Sequence, residues 1–244
     1  MSRLLVEFQS KYLLRKTEVI LYVPTLDLQE SLQQQDVNYY QNCEKKYPLM
    51  ILLAGFGMDK SGWEQNSNIV ELSKKYGVAV ALVGGENKWY MNFSPIDNWE
   101  GFLNVELPDF IYGNFSSISK DKPLYIAGCS MGGYGALRNY LSNIDKYKAC
   151  CALSPATKAD NNLEQMLGQK TLNDLFEETK DVKKNIYLSV GTCDFIIEPS
   201  REYNEYLKNL NCGVSYKFVE GYDHSFRLWN IEIEEFLKYV SELD

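Results

Sequence analysis

The chain has 244 residues, 45% of them hydrophobic, and a formal net charge of −8 from 25 Lys/Arg and 33 Asp/Glu. That length suits one α/β domain or two small ones, and the apolar fraction lies well above the disordered range. With no Lys/Arg cluster visible in an acidic chain, a nucleic-acid-binding face is not expected and attachment to anionic membranes is weakly disfavoured. The opening stretch MSRLLVEFQSKYLLRKTEV is interrupted by Glu7, Lys11 and Arg15. Neither a signal-peptide core nor a membrane span is expected there. Six cysteines (Cys43, Cys129, Cys150, Cys151, Cys193, Cys212) form no C-x-x-C pair, and there is a single histidine. A Cys/His zinc site is therefore not expected, and reduced thiols in a cytoplasmic protein are.

In chain order, Leu4–Phe8 and Glu18–Pro24 are β-rich runs that predict an antiparallel start. Thr25–Pro48 is polar and Gln-rich, a surface loop or short helix. Pro48–Gly57 is short, wholly apolar and ended by glycines, the pattern of a strand buried on both faces of a parallel sheet. Ser61–Gly77 predicts a helix closed by Gly77, Val78–Gly85 a second buried strand, and Glu86–Asn98 a loop. Trp99–Phe115 reads as helical, with Pro108 set to kink it or begin a second turn. KPLYIAGCS, YKACCALSP, NIYLSVGTCD and VSYKFVEG are further strands, with helices between them. HSFRLWNIEIEEFLKYVSEL closes the chain as an amphipathic helix burying Phe226, Trp229, Ile233, Phe236, Leu237 and Val240. The alternation predicts a doubly wound, mostly parallel sheet with helices on both faces and an N-terminal β-hairpin. Residues 1–244 read as one domain, with the polar stretch 156–185 a candidate lid.

Functional groups in such a sheet collect at the carboxyl ends of the strands. Gly128-Cys129-Ser130-Met131-Gly132 lies at one, between a predicted strand and a predicted helix. The pattern G-x-S-x-G needs its glycines because the turn is too tight for side chains two positions either side of the serine. A serine hydroxyl also needs a base. His224, the one histidine, follows the last predicted strand, on the same rim. Asp194, at the end of NIYLSVGTCD, is the best-placed carboxylate to orient it; Asp223 and Glu198 are rivals. Asp223 adjoins His224 and is badly placed to reach Nδ1, and Glu198 belongs to a helix surface. The order Ser, Asp, His fits an α/β-hydrolase. Donors for an oxyanion are expected from the Met131 N–H and from the Gly55-Phe56-Gly57 loop, through Phe56 or else Gly57.

These residues resemble a known family. LLAGFG followed by Trp63, GGENKWY, IAGCSMGGYGALR, GTCDF and GYDHSFRLW are similar, in order and spacing, to the esterase D / S-formylglutathione hydrolase-like esterases, and within them to the small tributyrin esterases. The resemblance runs from about Leu4 to Tyr239. It implies an α/β-hydrolase fold, a Ser130/Asp194/His224 triad, a Phe56/Met131 oxyanion hole and cleavage of short acyl esters. Departures are Ala54-Gly55 where the family commonly has His-Gly, Cys193 for an acidic residue, Phe226 for Trp, an extra residue before His224, and a longer Thr25–Pro48 insertion.

The expected reaction is acyl transfer to water through an acyl-enzyme on Ser130, with no metal or cofactor required. Its rate should fall below roughly pH 6–7, where an imidazole base protonates. Gly55, Trp89 and Tyr90 are expected to line the substrate pocket. The expected partner is a small-molecule ester, without nucleic acid or membrane, and a homo-oligomer is compatible with the sequence. Thioester hydrolysis of S-formylglutathione, release of acetyl or feruloyl groups from plant-derived saccharides, and ligand binding without catalysis are the alternative readings.

Overall fold

The uninterrupted apolar runs form the centre of one sheet. The computed structural model describes residues 1–243, with strands β1 (Ser2–Gln9), β2 (Lys16–Val23), β3 (Leu49–Leu53), β4 (Ala79–Val83), β5 (Leu124–Cys129), β6 (Ala149–Leu153), β7 (Ile186–Gly191) and β8 (Tyr216–Val219). They lie in the order β1-β2-β4-β3-β5-β6-β7-β8. β1 pairs antiparallel with β2, and β2 with β4, while the six strands from β4 to β8 are parallel. All five residues of β3, of β4 and of β6 are buried. Each fully buried Leu, Ile or Val contributes roughly 1.5–3 kcal/mol. β1 sits at the edge and alternates half-buried with exposed side chains, Arg3 and Glu7 facing out.

The helices are α1 (Leu28–Gln33), α2 (Tyr39–Asn42), α3 (Gly62–Asn66), α4 (Ile69–Tyr76), α5 (Trp99–Gly101), α6 (Leu107–Asn114), α7 (Met131–Ser142), α8 (Leu163–Met166), α9 (Leu172–Glu178), α10 (Ile197–Leu210) and α11 (Phe226–Ser241). Alternate residues of β3 divide between two cores. Leu49, Ile51 and Leu53 pack with α7, α9 and α10, while Met50 and Leu52 pack with α4 and α11. The sheet is therefore covered on both faces, as the sequence predicts.

Two local readings need correcting, and that of Pro108 is settled between its alternatives. The predicted helix 61–77 is two helices, because Ser67 turns its Oγ onto the Trp63 carbonyl at 2.5 Å and Asn68 N–H is taken by Asn230 Oδ1. Short polar side chains of this kind compete with the helical ladder. Pro108 stands in the first turn of α6 and so begins a second helical stretch, one of the two outcomes the sequence predicts. Lacking an N–H, it leaves the Asn104 carbonyl without a helical partner. Residues Phe102–Glu106 widen into a π turn, with Leu107 N–H donating to the Phe102 carbonyl, and Lys146 Nζ caps the Asn104 carbonyl at 3.0 Å. Finally, β7 stops at Gly191, so Asp194 lies in the turn beyond it.

The stretch 156–185 is not uniform. Leu172, Leu175 and Phe176 of α9 are buried in the core, whereas residues 156–162 carry only a 3-10 turn, Asp160–Asn162. At the amino ends of β5, β6 and β7 lies a concavity of about 570 Å³, bordered by Lys120, Lys122, Lys146, Lys148 and Lys183. Among the described residues no helix is long and apolar enough to cross a membrane.

Candidate active site

Ser130 joins β5 to α7 with φ 54° and ψ −119°. A non-glycine residue in that region stores roughly 1–3 kcal/mol of strain, which the surroundings must hold. The Ser130 N–H donates to the Leu153 carbonyl at 2.9 Å, and its own carbonyl accepts from Tyr134 N–H at 3.0 Å and Ala156 N–H at 3.3 Å. The flanking glycines are sterically required. A Cβ on Gly128 would overlap the Gly132 carbonyl, and one on Gly132 would overlap the Leu53 carbonyl. The turn thus presents the serine side chain to a cavity of about 390 Å³ beyond the carboxyl ends of the strands.

Asp194 is 2% exposed. Its two carboxylate oxygens each lie 2.9 Å from His224 Nδ1, and Oδ1 also accepts the Ile196 N–H at 3.0 Å. An ionised carboxylate accepts only, so Nδ1 carries the proton and Nε2 keeps its lone pair. Two bonds join the turns that carry this pair: Cys193 N–H to the Tyr222 carbonyl, and Gly221 N–H to Thr192 Oγ1, both 2.9 Å. The imidazole is held between the rings of Phe195 and Trp229, with centroids 4.5 and 5.1 Å away. Trp229 Nε1 is anchored in turn on Ser154 Oγ, just after β6. The rival carboxylates point elsewhere. Asp223 accepts from Ser225 Oγ, which holds its carboxyl below the usual range, and Glu198 is 77% exposed beside Arg201. Among the described residues no hydrogen bond links Ser130 Oγ to His224. Phe195 bridges them, lining the cavity with Ser130 on one side and meeting His224 on the other.

The loop after β3 is fixed from behind. Tyr90 Oη donates toward the carbonyls of Ala54 at 2.8 Å and Val83 at 3.2 Å, and Asn87 Oδ1 accepts the Gly57 N–H at 2.7 Å. Gly57 is therefore occupied. The N–H groups of Phe56 and Met131 donate to no group among the described residues. Phe56 is 57% exposed and, with Met131, lines the cavity.

Of the pocket residues expected from sequence, Trp89 lines the cavity, but Tyr90 and Gly55 do not. Tyr90 is fully buried, its ring filling the space that glycines leave at Gly85 and Gly135. Gly55 lies under the loop, where the position of a Cβ would meet Met58 and Cys129. Both lie behind the loop that carries Phe56. The sequence reading missed Phe195 and Ile196, which complete one wall, and Lys158 and Ala159, which complete another. The position of Phe195 beside Asp194 was the available signal. Four of the six cysteines are buried free thiols, and Cys193 is exposed. Burial pushes the Cys129 thiol up. No group of three or more His, Cys, Asp or Glu side chains suited to a metal occurs among the described residues.

A strained serine at the head of a buried helix, on a mostly parallel sheet covered on both faces, defines an α/β-hydrolase. The Esterase family model matches residues 33–239, and the chain belongs to that family; it is a serine-hydrolase-type carboxylic ester hydrolase. It is 29% identical to the acetyl esterase of Caldicellulosiruptor saccharolyticus, over 100% of this chain and 99% of that protein. It is 29% identical to the S-formylglutathione hydrolase of Arabidopsis thaliana, over 68% of this chain and 62% of that one. The solved S-formylglutathione hydrolase of Staphylococcus aureus shares the fold, with a TM-score of 0.82 at 19% identity over 98% of each chain.

Proposed function

We propose that the protein is a serine carboxylesterase for short acyl esters, acetyl to butyryl, of the tributyrin-esterase type, with Ser130, His224 and Asp194 as its triad. Ser130 Oγ attacks the ester carbonyl as His224 Nε2 takes its proton, and the C=O electron pair moves to the oxygen. The free N–H groups of Phe56 and Met131 stabilise that oxyanion. The intermediate collapses, the C–O bond to the alcohol breaks, and His224 returns the proton to the leaving oxygen. Water then repeats the sequence in reverse and frees the acid. Asp194 holds the imidazole tautomer and offsets the charge of the imidazolium.

What supports this reading is the Asp194–His224 pair, which Phe195 joins to the cavity that the strained Ser130, Phe56 and Met131 line, the last two with unspent N–H groups. The whole chain works as one domain, and within the candidate lid it is residues 156–162 that wall the cavity. The substrate is a small-molecule ester, met without nucleic acid or membrane, and the free thiols support a cytoplasmic location. Thioester hydrolysis of S-formylglutathione is a second reading, favoured by the similarity to the Arabidopsis thaliana hydrolase.

Initial rates on p-nitrophenyl acetate, butyrate and octanoate, with S-formylglutathione alongside, test both. The expected kcat/KM is highest for acetate or butyrate, and Ser130→Ala lowers it by about four decades or more. Equal activity of the variant would remove Ser130 from the chemistry. A rate on S-formylglutathione far above the aryl esters would favour the thioester reading.

A further inference from the structure

One wall of the cavity comes from residues 156–162, which contain no strand and only one 3-10 turn. Chain of that kind keeps a fixed shape only where something holds it. Here the holding group is a carboxylate. Glu164, in the four-residue helix α8, is 4% exposed. Its Oε1 accepts two hydrogen bonds, from the Ala159 N–H and from Tyr134 Oη, both 2.9 Å long. Ala159 is part of the cavity wall. Tyr134 belongs to α7, the helix that begins directly after Ser130. A single oxygen therefore ties the wall of the cavity to the helix of the nucleophile.

Two neighbours reinforce the tie. Trp89, also a wall residue, meets the Tyr134 ring edge-on at 5.4 Å. Arg138, one turn further along α7, binds the Lys170 carbonyl and, at 2.8 Å, Gln169 Oε1. The segment is thus gripped at both ends of α8 by the same helix. Glu164 has no ion pair among the described residues, and burying an unpaired carboxylate is costly. A hydrophobic side chain would fill the space without that cost. What a hydrophobic side chain lacks is the acceptor that sets where Ala159 stands.

We propose that Glu164 is a positioning residue that limits the acyl chain accepted at Ser130, by fixing the 156–162 wall against α7. The inference rests on the ester-hydrolase reading of the site. With the wall held, the cavity grips a short acyl group. With the wall released, the cavity lengthens, admits longer chains and holds acetyl less well. Asp194 and His224 stand on other connections, and Ser130 keeps its bonds to the Leu153 carbonyl and the Tyr134 N–H, so the chemical step is little affected.

The test uses Glu164→Leu, Glu164→Gln and Tyr134→Phe, each assayed on p-nitrophenyl acetate and octanoate, with amide exchange at Ala159 followed without substrate. A glutamine carbonyl accepts both bonds, so Glu164→Gln should stay within about twofold of wild type. Glu164→Leu should raise the octanoate-to-acetate ratio of kcat/KM about tenfold or more, mainly through KM for acetate. Its Ala159 amide should exchange about a hundredfold faster. Tyr134→Phe should move both readouts the same way, about threefold, since one of the two anchors remains. Equal loss on both esters, or unchanged Ala159 exchange in Glu164→Leu, overturns the proposal. Should Glu164→Leu not fold, a wild-type ratio in Tyr134→Phe overturns it instead. A wild type inactive on every ester would sink the esterase reading alone, and Ala159 exchange would still decide whether Glu164 holds the wall.

Discussion

The two ends of the parallel strands make an instructive pair. At the amino ends, the concavity of about 570 Å³ is the roomier, and five lysines border it. Several of its polar groups are paired. Tyr147 Oη donates to Asn104 Oδ1, Tyr140 Oη accepts the Asn185 N–H, and Lys146 caps the carbonyl that Pro108 leaves free. At the carboxyl ends the cavity is smaller, about 390 Å³. Ser130 is held in a strained conformation, and the N–H groups of Phe56 and Met131 have no partner among the described residues. Volume does not mark the end proposed as the active site. Stored strain and free donors do, at the strand termini where α/β sheets place their ligands.

The largest effect that would sharpen this contrast lies in the carboxylate. Asp194→Asn should lower kcat on p-nitrophenyl acetate by about 10³–10⁴-fold, because the imidazole loses its orienting acceptor and its tautomer. Glu198→Gln and Asp223→Asn should stay within about threefold, since neither side chain reaches His224. A comparable loss in either would transfer the orienting role. The Glu164 change comes next in size, and it acts on chain-length preference rather than on the chemistry. The smallest effect belongs to the other end. Lys120→Gln with Lys148→Gln should leave kcat/KM within about twofold, because neither lysine has an ion pair among the described residues. A tenfold change there would couple the two ends and break the contrast.

Much of the fold was legible because the physics was local. A five-residue apolar run such as Leu49–Leu53 can be satisfied only by burial on both faces. The serine turn was legible because the glycine spacing follows from contacts within the turn and with the adjoining Leu53 carbonyl. The Asp194–His224 pair was legible from two positions on one rim. What stayed hidden depends on backbone conformation over several residues. Glu86, Asn87, Trp89 and Tyr90 all have φ near +50 to +56°, so consecutive aromatics diverge, Trp89 to the cavity and Tyr90 to the core. A run of positive φ in non-glycine residues leaves no periodic signal in the sequence, so which of the two would line the cavity was not legible. Glu164 was hidden for a different reason. It sits in a polar stretch where an exposed carboxylate is the default, and only the fold brings Tyr134 and Ala159 onto one of its oxygens.

The central claim is that Ser130 alone carries the acyl group. The most direct measurement is the mass of the intact protein after reaction with a fluorophosphonate probe, followed by peptide mapping, for wild type and Ser130→Ala. One adduct per chain on the peptide containing Ser130, and none on the variant, is the predicted result. An adduct on another residue, or an active enzyme that takes up no probe, would contradict it.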